Sequence, residues 1–186
     1  MMRCFVSVGL SEKARQSLAG FQKEAYERLS LFAKLKQVEE QNLHLTLAFI
    51  GELSEPEAEK AKKALGSIKL EKFPIIISRL GFFGSTHSPR VIYLSVPSKE
   101  LSELSAAVAG ALKTAKLAIK TRAVKPHLTL FRIKQAFNPG ALIKEIKALS
   151  ELPLNLEQEV GSFELMSSKL TQSGPVYQKI ASFILL

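Results

Sequence analysis

Cysteine, tryptophan and histidine are scarce in this sequence. Its 186 residues hold one cysteine, Cys4, no tryptophan, and three histidines, His44, His87 and His127. A single cysteine excludes an internal disulfide framework and a zinc site built on paired cysteines. Its setting in the apolar run CFVSV predicts a buried strand residue and not a nucleophile. Long apolar runs are missing too. No stretch approaches the roughly 18 residues that a membrane-spanning helix needs. The opening MMRCFVSVGLSEK lacks the apolar length and the cleavage pattern of a signal peptide. A cytoplasmic protein without membrane contact is the expectation. Acidic side chains are in deficit: 26 Lys and Arg stand against 17 Asp and Glu, a formal net charge of +9. That balance favours nucleic acid or an anionic small substrate as partner. The Gly-rich signatures G-x-x-x-x-G-K-[ST] and G-x-G-x-x-G are absent, so a P-loop or a Rossmann nucleotide site has no support. Nothing resembles a nucleophile elbow or an H-E-x-x-H metal helix.

What is present is a repeat. His44-Leu45-Thr46-Leu47 returns as His127-Leu128-Thr129-Leu130, and the two copies use two of the three histidines. Each lies in an apolar run of strand character, NLHLTLAFI and PHLTLFRI. Alternation along a strand puts His and Thr on one face and both Leu on the other. Each copy thus offers an imidazole beside a hydroxyl, with an apolar back to anchor them.

The remaining elements follow from periodicity and caps. A strand is predicted over Arg3–Gly9. A helix capped by Ser11 follows, with the stripe Leu18, Phe21, Ala25, Leu29 and Phe32, ending near Lys36. The first motif strand covers about Asn42–Ile50. Ser54-Glu55-Pro56-Glu57 has the form of a capping box and opens a second helix. Phe73–Leu80 reads as a strand, Gly81–Arg90 as a loop, and Val91–Val96 as a strand. Ser98 caps a third helix, the second motif strand runs from about Pro126 to Ile133, and Asn138-Pro139 opens a fourth helix. LNLEQEV, SFELMSSKL and VYQKIASFILL read as strands, the last two joined by a turn over 171–175. Helices and strands alternate but some strands are consecutive, so the class is α+β. The comparable setting of the two motifs predicts pseudo-twofold lobes within one domain, 1–186.

Two histidines facing one site suit a reaction that needs a base and an acid at once. Phosphodiester cleavage is such a reaction, with the Thr46 and Thr129 hydroxyls holding phosphate oxygens and Arg132 as the nearest cation. Strict alternation, however, puts Arg132 on the leucine face, and it reaches the site only if the strand bends near Phe131. A site of His44, His87 and His127 around a metal is the weaker alternative, since His87 falls in a loop. Arg90 is either an exposed edge charge or a phosphate contact. Phe82, Phe83 and Phe131 are candidates to stack a nucleobase. A non-catalytic RNA- or nucleotide-binding module is the alternative from another class; intact His-x-Thr pairs in both copies argue against it.

The paired His-x-Thr-x motifs resemble the two-histidine (2H) phosphoesterase superfamily. RCFVSVGLS, NLHLTLAFIGEL, SPRVIYLSV, KPHLTLFRI and SSKLTQSGPVYQKI together resemble the RNA 2',3'-cyclic phosphodiesterase or 2'-5' RNA ligase family nearly end to end. The resemblance implies two antiparallel sheets around a V-shaped cleft, with helices outside. It implies hydrolysis of an RNA 2',3'-cyclic phosphate to a 2'-phosphate with no metal, ATP or other cofactor, and reverse 2'-5' ligation at the same site. His44 would donate a proton to the departing 3'-oxygen and His127 would activate water. Thr46, Thr129 and Arg132 would bind phosphate. The expected partners are RNA ends or oligonucleotides, and the protein is expected to be a monomer. One departure is visible: the family often carries Trp shortly before the first motif, where this chain has Lys36-Gln37-Val38-Glu39-Glu40.

Overall fold

A computed structural model describes residues 1–118, 125–152, 154, 156–172 and 174–186. Its strands are β1 (Met2–Gly9), β2 (Ala33–Gln37), β3 (His44–Leu53), β4 (Phe73–Ile77), β5 (Leu80–Gly84), β6 (Pro89–Ser95), β7 (His127–Ala136), β8 (Leu156–Val160), β9 (Ser162–Leu170) and β10 (Pro175–Ile184). The helices are α1 (Glu12–Leu29), α2 (Glu55–Gly66), α3 (Lys99–Thr114) and α4 (Pro139–Ser150). The class is α+β, as expected.

Eight strands form one antiparallel sheet in the order β10-β9-β1-β3-β7-β6-β5, with β2 added alongside β7; β4 and β8 pair separately. The two sheets expected around a cleft are the two halves of this one. They meet between β3 and β7, where a single pair, Leu45 with Leu128, is in register. Helices α2 and α3 lie against the β3 half, and α1 and α4 against the β7 half. Leu45, Leu128, Leu130 and Phe131 are completely buried beneath the motifs. At roughly 1.5–3 kcal/mol per large apolar side chain, this burial holds the motif strands down on the helices.

Capping signals place the helix starts correctly. The Ser11 side chain accepts from the Ala14 N–H, Ser98 from Leu101 and Asn138 from Ala141. Glu57 closes the capping box on the Ser54 N–H at 2.8 Å.

Two expectations need correction. Helix α1 stops at Leu29 and not near Lys36, because 33–37 is the strand β2, paired with β7 from Ala33–Ala136 to Gln37–Phe131. The carbonyl of Phe32 accepts from both Phe137 and Asn138, so long-range bonds override the helical stripe. The expected loop at 81–90 is mostly hairpin: Gly81, Phe82 and Phe83 in β5 pair with Tyr93, Ile92 and Val91 in β6. Gly81 is there for space. A Cβ at Gly81 would lie 2.9 Å from Tyr93 Cζ, so the glycine lets the tyrosine ring lie across its strand. Gly81→Ala is expected to displace that ring at a cost of about 1–3 kcal/mol. Thermal unfolding checks the loss. The β9–β10 hairpin forms as predicted, with Gly174 at φ +144°. Ser173 in its turn, and Asn155 ahead of β8, lie outside the described residues.

Candidate active site

The Leu45–Leu128 pair determines the geometry of the site. In an antiparallel register, one step either way sets His44 across from Thr129 and Thr46 across from His127. Each imidazole faces the other copy's hydroxyl. The histidines themselves are diagonal neighbours, a relation that separates residues by roughly 7–8 Å and their Cβ atoms by somewhat less. All four side chains line one open cleft of about 650 Å³.

The imidazoles are held in the same way. His44 Nδ1 lies 2.7 Å from the carbonyl of Asn42, and His127 Nδ1 lies 2.7 Å from that of Lys125. A carbonyl only accepts, so each Nδ1 carries a hydrogen and each Nε2 is the nitrogen turned to other partners. Aromatic rings fix both orientations. Phe5 lies 5.0 Å from His44, and Tyr177 meets it edge-on at 5.3 Å. Phe83 meets His127 edge-on at 4.8 Å and stacks on Tyr93 at 4.2 Å. Burial lowers the His44 pKa below its ordinary 6.5. The Asn42 hydrogen bond opposes that shift, while Arg132 and His127 add to it. Burial also raises the Tyr177 pKa, and Arg132 opposes the rise, which couples Arg132, Tyr177 and His44 electrostatically across the cleft.

Arg132 lines the cleft despite strict alternation. Opposite β6, Thr129 pairs with Tyr93 but Phe131 pairs with Ile92, leaving Leu130 as an extra residue. This β-bulge shifts the alternation by one, so Leu130 and Phe131 are both buried and Arg132 turns to the histidine face. The first motif carries the same device. Thr46 pairs with Ser7 and Ala48 with Val6, so Leu47 is extra and Phe49 turns into the cleft. Each bulge is pinned by a helix. The Leu130 carbonyl accepts from Gln22 Nε2 of α1 at 3.3 Å, and the Leu47 carbonyl accepts from Ser105 Oγ of α3 at 2.7 Å.

The structure brings His44, Thr46, His127, Thr129 and Arg132 together. His87 is elsewhere, exposed in the 85–88 turn and 3.4 Å from Thr86 Oγ1, so it does not join the two cleft histidines. Among the described residues no three His, Cys, Asp or Glu side chains cluster as metal ligands would. Burial pushes the Cys4 thiol up to about 11, in keeping with a buried strand residue. Of the stacking candidates, Phe131 is wholly buried and Phe82 packs on the core, so only Phe83 lines the cleft. Arg90 is exposed and borders a second groove, of about 430 Å³, which shares Lys134 with the main cleft.

Sequence reading misses several cleft residues. The helical stripe puts Lys36 at a helix end, yet it pairs with Arg132 across β2 and β7, and both face the cleft. Two cations directly opposite one another repel, so this edge is suited to an anion. Arg3 and Lys134 add further positive charge, and Glu39 is the acidic side chain among the described lining residues. Phe49 and Tyr177 stay hidden because neither lies within a motif. Among the described residues, no helix is long and apolar enough to cross a membrane.

A family model described as LigT-like phosphoesterase matches residues 8–93. The chain is 36% identical over 148 residues to an RNA 2',3'-cyclic phosphodiesterase of Aeropyrum pernix, covering 78% of this chain and 84% of the relative. It is 34% identical to an RNA 2',3'-cyclic phosphodiesterase of Archaeoglobus fulgidus, over 98% of this chain and 99% of the relative. A crystal structure of a Thermus thermophilus protein superposes with a TM-score of 0.78 at 26% identity, covering 98% of this chain and 97% of that one. Escherichia coli LigT in its apo form superposes with a TM-score of 0.77 at 21% identity, covering 99% and 97%, and so shares the fold.

Proposed function

Because this chain belongs to the LigT-like phosphoesterase family, we propose that it hydrolyses RNA 2',3'-cyclic phosphate ends to 2'-phosphates by two-histidine acid/base catalysis. The observation that carries this reading is the matched pair of imidazoles, each with Nδ1 fixed on the carbonyl two residues before it and Nε2 left to exchange protons. His127 takes a proton from water as its oxygen bonds to phosphorus. The bond from phosphorus to O3' breaks, and His44 gives O3' its proton. Thr46, Thr129 and Arg132 hold the non-bridging oxygens. The acting unit is the single bilobal domain, with one His-x-Thr-x motif per lobe. No metal or ATP takes part, and the same groups run 2'-5' ligation in reverse when a 5'-hydroxyl strand replaces water.

The test is incubation of the purified protein with a 2',3'-cyclic-phosphate oligonucleotide in EDTA. A 2'-phosphate product is expected, while EDTA sensitivity would overturn the metal-free mechanism. Tight RNA binding with no product would point instead to a binding module. The pH profile tests the need for both imidazoles. One must be protonated and the other neutral, so kcat/KM is expected to be bell-shaped, and the limb set by His44 to lie below 6.5 because burial depresses its pKa. A profile with no limb below 6.5 would remove His44 from the chemistry.

A further inference from the structure

The positive surface does not end with the main cleft. Lys134, two residues beyond Arg132 on β7, lines both that cleft and the second groove of about 430 Å³. We propose that this groove holds the RNA strand on the 5' side of the cyclic phosphate, with Arg90 and Lys134 on its backbone phosphates. This rests on the cyclic phosphodiesterase reading above and adds a strand-binding surface outside the chemical centre.

The charge of the groove is one-sided. Its described lining includes Arg90 and Lys134, both exposed, and no carboxylate. Among the described residues neither cation enters an ion pair. Cations gathered on a concave surface without acidic partners attract a polyanion. The groove is also built into the fold. Opposite β2, Lys34 pairs with Gln135 and Leu35 with Ile133, so Lys134 is an extra residue. This bulge lets the consecutive Ile133 and Lys134 both line the groove. The facing wall comes from the 85–88 turn, closed by the Ser88 N–H on Ser85 Oγ at 3.0 Å. Gly84 permits that close turn: it sits at φ +110°, and a Cβ there would run into the Ser88 carbonyl.

The spacing and the remaining side chains fit a sugar–phosphate backbone. Two residues of extended chain separate Arg132 from Lys134, roughly 6–7 Å, a step on the scale of consecutive phosphates in one strand. Ser88 and Gln135 offer hydrogen bonds to phosphate and ribose oxygens. The described lining carries no Phe or Tyr on which a base would stack, so the grip is on the backbone and independent of sequence. An acidic protein segment would meet the same cations, but the shared Lys134 makes the groove a continuation of the cleft and favours a strand that leaves it.

The experiment compares wild type, Arg90→Gln and Arg90→Lys on adenosine 2',3'-cyclic phosphate and on a short oligoadenylate ending in a 2',3'-cyclic phosphate, over a range of salt. Arg90 is exposed and lies outside the main cleft lining. Arg90→Gln is expected to raise KM for the oligoadenylate about three- to tenfold with kcat little changed, and to leave the mononucleotide unaffected. The slope of log KM against log salt for the oligoadenylate is expected to fall by about 0.7, the value for one phosphate contact on a single strand. Arg90→Lys is expected to keep the wild-type slope. An unchanged KM and slope for the oligoadenylate would overturn the proposal. Equal losses on both substrates would mark a structural disturbance and overturn it too. Competition by polyglutamate as strong as that by oligoadenylate of equal charge would overturn it in favour of an acidic protein partner. If wild type turns over neither substrate, the catalytic reading fails by itself. The groove is then decided by the anisotropy of a labelled oligoadenylate: weaker binding by Arg90→Gln upholds it, and an unchanged Kd overturns it.

Discussion

His44→Ala and His127→Ala are each expected to lower turnover of a 2',3'-cyclic-phosphate oligonucleotide by about 10²–10⁴. The size follows from what each imidazole does. Without a base, water attacks as a poor nucleophile; without an acid, the ribose alkoxide leaves unprotonated. The two losses are told apart by the leaving group. On a p-nitrophenyl phosphodiester, the departing phenolate needs no proton. His44→Ala is therefore expected to recover most of its loss there, and His127→Ala almost none. The reverse pattern would exchange the two roles, and full activity in either variant would end the two-histidine mechanism. Both substitutions leave the apolar anchor beneath intact, since Leu45 and Leu128 are completely buried on the opposite face. Melting temperatures close to wild type are the accompanying control.

The second large effect is at Arg132. A guanidinium–phosphate hydrogen bond contributes about 1.5–3 kcal/mol, so Arg132→Met is expected to raise KM roughly ten- to a hundredfold. The position of Arg132 depends on the bulge at Leu130, and the bulge on α1. Gln22 is buried and donates to the carbonyls of Val38 at 3.0 Å and Leu130 at 3.3 Å. Gln22→Leu keeps the volume but leaves the Val38 carbonyl without this donor, a loss of about 1–3 kcal/mol. Its signature is a raised KM with little change in kcat, in a residue that touches no substrate. If Gln22→Leu is destabilised yet keeps a wild-type KM, the bulge holds without it and the link from helix to guanidinium fails.

Much of this is legible in the chain. The tetrapeptides bring His44, Thr46, His127 and Thr129 to one cleft because alternation is local, and the caps at Ser11, Ser98 and Asn138 work through bonds three residues long. What escapes is set by distant partners. AKLKQ becomes β2 only because β7 accepts it as a neighbour, and a five-residue stretch carries too little pattern to compete with the end of a helical stripe. GFFG reads as a loop because its glycines suggest turns, whereas Gly81 makes room for Tyr93, its partner on the neighbouring strand. The bulges are the main gap. A one-residue slip leaves no mark in composition, yet it decides whether Arg132 faces the cleft or the core. The Asn42 and Lys125 carbonyls are equally hidden, since any residue supplies one.

The join between the two halves of the sheet has a mechanical consequence. Among the described residues, β3 and β7 share one registered pair, and it lies between the histidine and the threonine of each motif. Halves joined at one registered pair can turn about that pair. Distances near a pivot change least, and those far from it change most. Small angular excursions would therefore leave the spacing of His44 and His127, each one residue from the pair, nearly constant, while residues farther along β3 and β7 move more. The two imidazoles sit at the axle.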